Sequence, residues 1–207
     1  MRLVIIADTH SMHEEVKLPL GDVLIHCGDF CAYGHNIMEI TRFSHWFRNQ
    51  PHKVKLLVPG NHDRLLESDP GLSQAALGNG ILLLVDAGIT LGGVEFYGTP
   101  YQPFFFDWAF NVRKLKDRLK IFRKIPKSTD VLITHCPPRG ILDECQSGNV
   151  GCCALDKHVD RVRPKIHCFG HIHEAYGELK QMGTHFINAS VCNGFYDVVN
   201  EPVVVDI

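Results

Sequence analysis

A chain of 207 residues, 45% hydrophobic and 21% charged, has the balance of an ordinary globular protein and is long enough to bury a core without disulfide staples. Its net charge of −2 is the wrong footprint for gripping a long nucleic acid, and no apolar run reaches the length of a membrane span. The apolar start, residues 3–7, is too short for a signal peptide and runs straight into Asp8, so a soluble, cytoplasmic protein is expected. The eight cysteines show no C-x-x-C spacing and read as free, reduced, mostly buried thiols.

Residues 3–7 form a β-branched-rich run suited to a buried strand, ending at Asp8-Thr9-His10. In extended backbone, residues two apart share a side, which lets Asp8 and His10 face one point. Residues 22–27 repeat the form and end at Gly28-Asp29. Ile37, Ile40, Phe43 and Phe47 are spaced for a helix over residues 36–50, with Asn36 as its N-cap. The apolar residues 54–58 read as a strand broken by Pro59-Gly60, followed by Asn61-His62-Asp63. A short helix over 72–77 and strands over 81–85, 89–91 and 94–97 follow, the strands joined by turns at Asp86-Ala87-Gly88 and Gly92-Gly93.

Residues 100–107 are an aromatic-rich loop leading to Trp108, and a helix is predicted over 110–122 with Val112, Leu115, Leu119 and Phe122 on one face. A strand over 130–134 ends at His135, and residues 138–153 form a polar loop without periodicity. A helix over 155–162 leads to a last strand of this type, 165–169, ending at Gly170-His171-Ile172-His173. Residues 176–207 read as antiparallel strands with turns at Met182-Gly183 and Asn193-Gly194 and a closing strand at 203–205. No repeat or linker interrupts the chain, so residues 1–207 are expected to be one α/β domain with mixed sheets.

Five strands thus end in Asp, His or Asn, and ligand sites of α/β folds gather outside the carboxyl ends of strands. Asp8, His10, Asp29, Asn61, His135, His171 and His173 are an oxygen and imidazole set without thiolate, which suits Mn, Fe or Zn. Seven donors exceed one ion's needs and suit two ions about 3.5–4 Å apart, bridged by one carboxylate. Each residue alone would more often be a cap or a core polar group; all seven at strand ends make coincidence improbable. His13, His26, His35, His45, His52, His158, His167 and His185 lack that placement and read as structural or surface residues.

In this order, Asp-x-His, Gly-Asp, Gly-Asn-His-Asp, a lone histidine and Gly-His-x-His resemble the calcineurin-like metallophosphoesterase superfamily. His-Cys-Gly-Asp-Phe, Gly-Thr-Pro-Tyr-Gln-Pro and Asn-Ala-Ser-Val-Cys-Asn are similar to its metallophosphoesterase-domain (fetal brain protein-like) subfamily, near the class III cyclic nucleotide phosphodiesterases. The resemblance implies a four-layer α/β/β/α sandwich with two mixed β-sheets and a dinuclear site holding two divalent transition-metal ions, manganese first among them, with iron or zinc as alternatives. Asp8, His10, Asp29 and His173 would hold one ion, and Asn61, His135 and His171 the other, with Asp29 bridging. Solvent bridging two cations becomes hydroxide near neutral pH and attacks the phosphoester. Asn61, His62 and Asp63 are the expected catalytic residues: His62 and Asn61 contact phosphate, His62 protonates the leaving alkoxide, and Asp63 orients His62 or raises its pKa.

A phosphodiesterase for small, possibly nucleotide, esters is the reading this favours. Protein phosphatases of the superfamily carry an arginine shortly after Gly-Asp to clamp a dianion; residues 30–35 here contain none. A phosphomonoesterase and a weakly active scaffold of the same fold are the alternatives, and the acidic balance disfavours a DNA nuclease. Phe104, Phe105, Phe106 and Trp108 either stack a nucleobase or pack their loop, the second being the commoner use of such a cluster. Arg139 and Asn149 either reach substrate or decorate a solvated loop.

Overall fold

The computed structural model describes residues 1–207. Its first part comprises β1 (Arg2–Ile6), β2 (Val23–His26), α1 (Ile37–Arg48), β3 (Val54–Leu57), α2 (Arg64–Ser68), α3 (Pro70–Leu77) and β4 (Leu82–Leu83). Then come β5 (Ala87–Leu91), β6 (Val94–Thr99), β7 (Gln102–Pro103), β8 (Asn111–Val112), α4 (Leu115–Phe122) and β9 (Val131–Thr134). The last part holds β10 (Glu144–Cys145), β11 (Gly148–Asn149), α5 (Cys153–Val162), β12 (Ile166–Phe169), β13 (Gly177–Gln181), β14 (Thr184–Asn188) and β15 (Val203–Asp206).

Two mixed sheets carry the fold, as expected. One has the order β15-β1-β2-β3-β4, the other β13-β14-β12-β9-β6-β5. Their inner strands are parallel, and β15, β13 and β5 are antiparallel edges. Strand side chains alternate between faces, so each strand feeds two cores. Leu3, Ile5, Val23, Ile25 and Leu56 point inward to meet Phe96, Val131, Ile133, Ile166 and Ile187 of the other sheet. On the outer face of the first sheet, Val4, Leu24 and Leu57 pack under Ile40, Phe43 and Phe47 of α1 and Leu77 of α3. Leu132, Phe169 and Phe186 do the same for the second sheet under Phe122 of α4 and Leu155, Val159 and Val162 of α5. The layers are therefore α/β/β/α. No helix is long and apolar enough to cross a membrane.

Several elements differ from expectation for local reasons. α4 starts at Leu115, not at residue 110, because Phe110 is left-handed (φ 55°) and Asn111 and Val112 pair with β7 instead. Val112 therefore lies off the helix, and Leu115 is exposed, which leaves Leu119 and Phe122 as its apolar face. α3 starts earlier, at Pro70, where a proline costs no helical bond and the Asp69 side chain accepts the Leu72 N–H at 3.0 Å. The five-residue α2 has no apolar periodicity to announce it. Only Asp86 of the expected 86–88 turn is left-handed; Ala87 and Gly88 already belong to β5.

The tail is not purely antiparallel either. β13 and β14 form the hairpin expected at Met182-Gly183, but β14 runs parallel to β12; the turn expected at Asn193-Gly194 is present, with Tyr196 N–H donating to the Asn193 carbonyl at 3.0 Å inside a loop bridged by Cys192 and Val198. The loop of residues 138–153 holds a two-residue hairpin, β10–β11. It is organised by buried Asp143, which accepts from the N–H groups of Gly140 and Gly151 and from Asn149 Nδ2. All eight cysteines are free, though Cys153 is exposed.

Phe43 links core to site. Its ring stacks on Phe30, next to Asp29, at 4.1 Å and on Phe47 at 4.9 Å, and meets His26 edge-on at 5.2 Å. Truncating Phe43→Ala is expected to cost about 3–5 kcal/mol, read from the shift in the guanidinium unfolding midpoint.

Candidate metal centre

The polar cluster is assembled from both sheets. β1, β2 and β3 deliver Asp8 and His10, Asp29, and Asn61 and His62; β9 and β12 deliver His135, and His171 and His173. Asp8 and His10 do converge, but not by alternation along an extended strand. β1 stops at Ile6, and both residues are left-handed, with φ of 55° and 41°. Asp29 (59°) and His171 (72°) share this conformation, which costs roughly 1–3 kcal/mol per residue and ends each strand in a sharp turn. Close approach explains two of the glycines: a Cβ on Gly60 would fall on the Asp29 carboxylate, and one on Gly170 on the Asp8 carboxylate.

Asp29 Oδ2 is the hub. It lies 3.3 Å from His135 Nε2, 3.9 Å from His62 Nε2 and 4.0 Å from His10 Nε2, while Asp29 Oδ1 accepts the His62 N–H at 2.7 Å. His173 Nε2 is 3.2 Å from His10 Nε2 and 3.7 Å from Asp8 Oδ1. Asn61 Oδ1 lies 2.9 Å from His135 Nε2. Three donor groups result, Asp8–His10–His173, His10–Asp29–His62 and Asp29–His135–His171, each with ligand atoms within 4.8 Å of one another.

The imidazoles are oriented from behind. Nδ1 of His10, His62, His135 and His173 faces the carbonyl of Cys31, Ala32, Cys27 and Asn193 respectively. A carbonyl only accepts, so Nδ1 carries the hydrogen and Nε2 is left facing the cluster. Burial works against charge on Asp8, but the charge of the His173 ring, 3.7 Å from Oδ1, holds the carboxyl below the usual range. Burial likewise opposes charge on Asp29, which His135 and His62 pull well down. Burial would lower His135 and His173 too, yet Asp29 and Asp8 beside them raise each to about 9. His10 and His171, where burial prevails, fall to about 4 and about 3.

Asp63 differs from expectation. It makes no hydrogen bond to the His62 ring; it accepts the N–H groups of Asp29 (2.9 Å), Gly60 (2.7 Å) and Cys31 (3.0 Å). Fully buried, it buckles the two turns that carry Asp29 and Asn61, and the Ala32 carbonyl orients His62 in its place. His26 does similar work beneath: burial holds it to about 3 and hence neutral, its Nδ1 accepts the Gly28 N–H, and its Nε2 bonds Thr9.

A cavity of about 670 Å³ opens over the cluster. Phe104 and Phe105 line it, as do Arg139 and Asn149, while Phe106 points to solvent and Trp108 stacks on His62. Residues 188–193, noted above only for their resemblance, prove to be part of the site. Ser190 Oγ donates to Asp8 Oδ2 at 2.6 Å, and Asn193 holds His173. Tyr196 went unnoticed, because no motif marks it; it is left-handed (φ 66°), with its ring 4.6 Å from that of His10.

The family model for calcineurin-like phosphoesterases matches residues 1–175. This chain belongs to that family. It is 37% identical over 232 residues to human metallophosphoesterase domain-containing protein 1, covering 100% of this chain and 71% of that one. TT1561 of Thermus thermophilus has the same fold at a TM-score of 0.60 and 10% identity, over 90% of this chain and 88% of that one. A novel archaeal phosphodiesterase superposes with a TM-score of 0.51 at 15% identity, over 100% of this chain and 93% of its own.

Calcineurin-like phosphoesterases use divalent metals, and the donors here fit such ions. Asp8 Oδ1 is buried with no hydrogen-bond partner, whereas Oδ2 is saturated by His171 N–H and Ser190 Oγ. A buried carboxylate oxygen with no hydrogen-bond partner is a costly arrangement that a cation relieves.

In the metal-free chain His135 and His173 keep their protons up to about 9. An imidazolium has no lone pair to offer, so below that pH a cation must displace those protons. Affinity is expected to fall as the pH drops, with proton release seen as buffer-dependent heats in titration calorimetry. Gly170→Ala, which drives a methyl into Asp8, is expected to abolish that binding heat while the chain still unfolds cooperatively.

Proposed function

We propose that residues 1–207 are one metallophosphoesterase domain acting as a dinuclear-metal phosphodiesterase on small esters, cyclic nucleotides among them. The observation that carries this is the sharing of Asp29 between donor groups, which suits a bridged pair of cations and not a single ion. Asp8, His10, Asp29 and His173 would hold one, and Asn61, His135 and His171 with Asp29 the other, manganese being the first choice for an oxygen and imidazole set. Bound there, two cations would neutralise phosphate charge and lower the pKa of a water so that hydroxide is supplied near neutral pH. Support for the single domain comes from the tail beyond residue 175, which supplies β15 beside β1 and the β13–β14 hairpin beside β12.

The chain's own groups divide the remaining work. His62 Nε2 faces the cavity beside Asp29, with Nδ1 held by Ala32. A water oxygen bonds to phosphorus as the bond to the leaving oxygen breaks. His62 Nε2–H gives that oxygen its proton and is recharged from the attacking water. The Asn61 amide, held against His135, positions a phosphate oxygen. A diester is favoured over a monoester because Arg139 is the one cationic side chain lining the cavity besides histidines, and residues 30–35 offer none. A phosphomonoesterase is the second reading, since exposed Arg139 is free to meet a dianion.

With manganese added, the chain is expected to hydrolyse bis-p-nitrophenyl phosphate faster than p-nitrophenyl phosphate, to lose turnover with a chelator and to regain it with metal. A preference for the monoester would select the second reading. His62→Ala is expected to lower kcat on a diester with a poor leaving group by about 10²-fold or more while metal binding persists in calorimetry; full turnover would refute the role given to His62.

A further inference from the structure

His62 sits in a stack that neither metal nor phosphate binding requires. The Trp108 ring lies over the His62 imidazole at 3.9 Å, tilted by only 27°. The Arg64 guanidinium carbon also stands over the indole, 4.3 Å from its centroid, and Arg64 Nε is buried without a hydrogen-bond partner, so the indole face is a principal contact of that cation. His10 meets His62 edge-on at 4.6 Å. Trp108, His10 and the Ala32 carbonyl on Nδ1 together fix the ring's plane and its rotation within that plane.

The loop bearing Trp108 is built for rigidity. Asn111 Oδ1 accepts the Phe105 N–H at 3.1 Å, and its Nδ2 donates to the carbonyls of Phe106 at 3.1 Å and Trp108 at 2.9 Å. Ala109 N–H donates to the Asn61 carbonyl at 3.1 Å, tying the loop to the turn that carries His62. Phe106 is left-handed (φ 46°), a conformation these bonds enforce. A loop that merely covered the site would not need its indole placed so closely by one side chain.

We infer that Trp108 is a positioning residue: stacked on His62, capped by Arg64 and pinned by Asn111, it holds His62 Nε2 on the line to the leaving oxygen. This rests on the proton-donor role proposed for His62 above. General acid catalysis depends on alignment with one oxygen, and it matters most when that oxygen leaves poorly. The indole is thereby spent on the protein's own imidazole and is not free to stack a substrate ring.

The test compares the manganese-loaded full chain with Trp108→Leu, Trp108→Phe and His62→Ala on bis-p-nitrophenyl phosphate and on diphenyl phosphate, whose phenoxide is the poorer leaving group. Trp108→Leu is expected to lower kcat on diphenyl phosphate about 30-fold and on the nitrophenyl ester by less than about threefold, with KM within about twofold on both. Trp108→Phe, which keeps an aromatic face, should restore most of the loss. Equal losses on both esters, or a raised KM at unchanged kcat, would overturn the inference. If His62→Ala itself shows no leaving-group dependence, the acid role fails, and the fault lies with the earlier reading. A readout independent of turnover is the proton spectrum of the His62 ring. The indole face shifts those signals upfield, and Trp108→Leu should return them downfield; unchanged signals would mean the stack does not form.

Discussion

Two buried carboxylates, Asp8 and Asp29, dictate the architecture around them. Each lies where a parallel strand runs out at the seam between the sheets, and a buried carboxylate left uncompensated is among the costliest groups a protein can hold. The fold answers with directed donors. Asp8 Oδ2 takes a backbone N–H and a hydroxyl, Asp29 Oδ1 takes the His62 N–H, and Asp29 Oδ2 is met by imidazole nitrogens. Those imidazoles are anchored in turn by carbonyls from other turns. What looks like a collection of ligands is a charge-compensation network with one deliberate gap, at Asp8 Oδ1.

Holding such a network costs backbone strain, and the strain is shared. Asp8, His10, Asp29 and His171 are all left-handed, a conformation that persists only where surrounding structure over-determines it. Asp63 supplies part of that determination. By gathering three N–H groups it ties the turn after β2 to the turn after β3, so neither relaxes alone. Phe30, stacked on Phe43 directly behind Asp29, anchors the same turn in the helix-covered core. Packing beneath the sheet and geometry above it are therefore one system.

The cavity above the cluster is chemically divided. Its floor is carboxylate, amide and imidazole, and its walls include Phe104, Phe105 and Tyr196, with Arg139 as a cation at the edge. At about 670 Å³ it has the size of a small-molecule site. A polar, charge-bearing floor under partly aromatic walls suits an anionic ester attached to an organic group. Since one fold hosts many substrates, the walls and not the sheets carry the choice among them. Trp108, which in the sequence belonged with those wall aromatics, stacks on His62 instead.

Much of the sandwich was legible in the bare chain, because buried strands in a parallel sheet are apolar runs with abrupt polar ends, and five such runs stand out. The donor set was legible for the same reason: Asp, His and Asn at strand ends follow a pattern that local sequence carries. Helix starts were less so, since an apolar spacing through Val112 and Leu115 suggested a helix that left-handed Phe110 forbids. Asp63 and Trp108 show where local reading fails. Asp63 neighbours His62 along the chain but turns to the N–H groups of Asp29 and Cys31, residues more than thirty positions away. Ser190, Asn193 and Tyr196 reach the site because β14 runs parallel beside β12 and the chain just after it bridges to Ala7 at the end of β1. Residue types and periodicity are properties of a stretch of chain; which buried donor satisfies which buried acceptor is decided when the two sheets close, and only the tertiary structure holds that information.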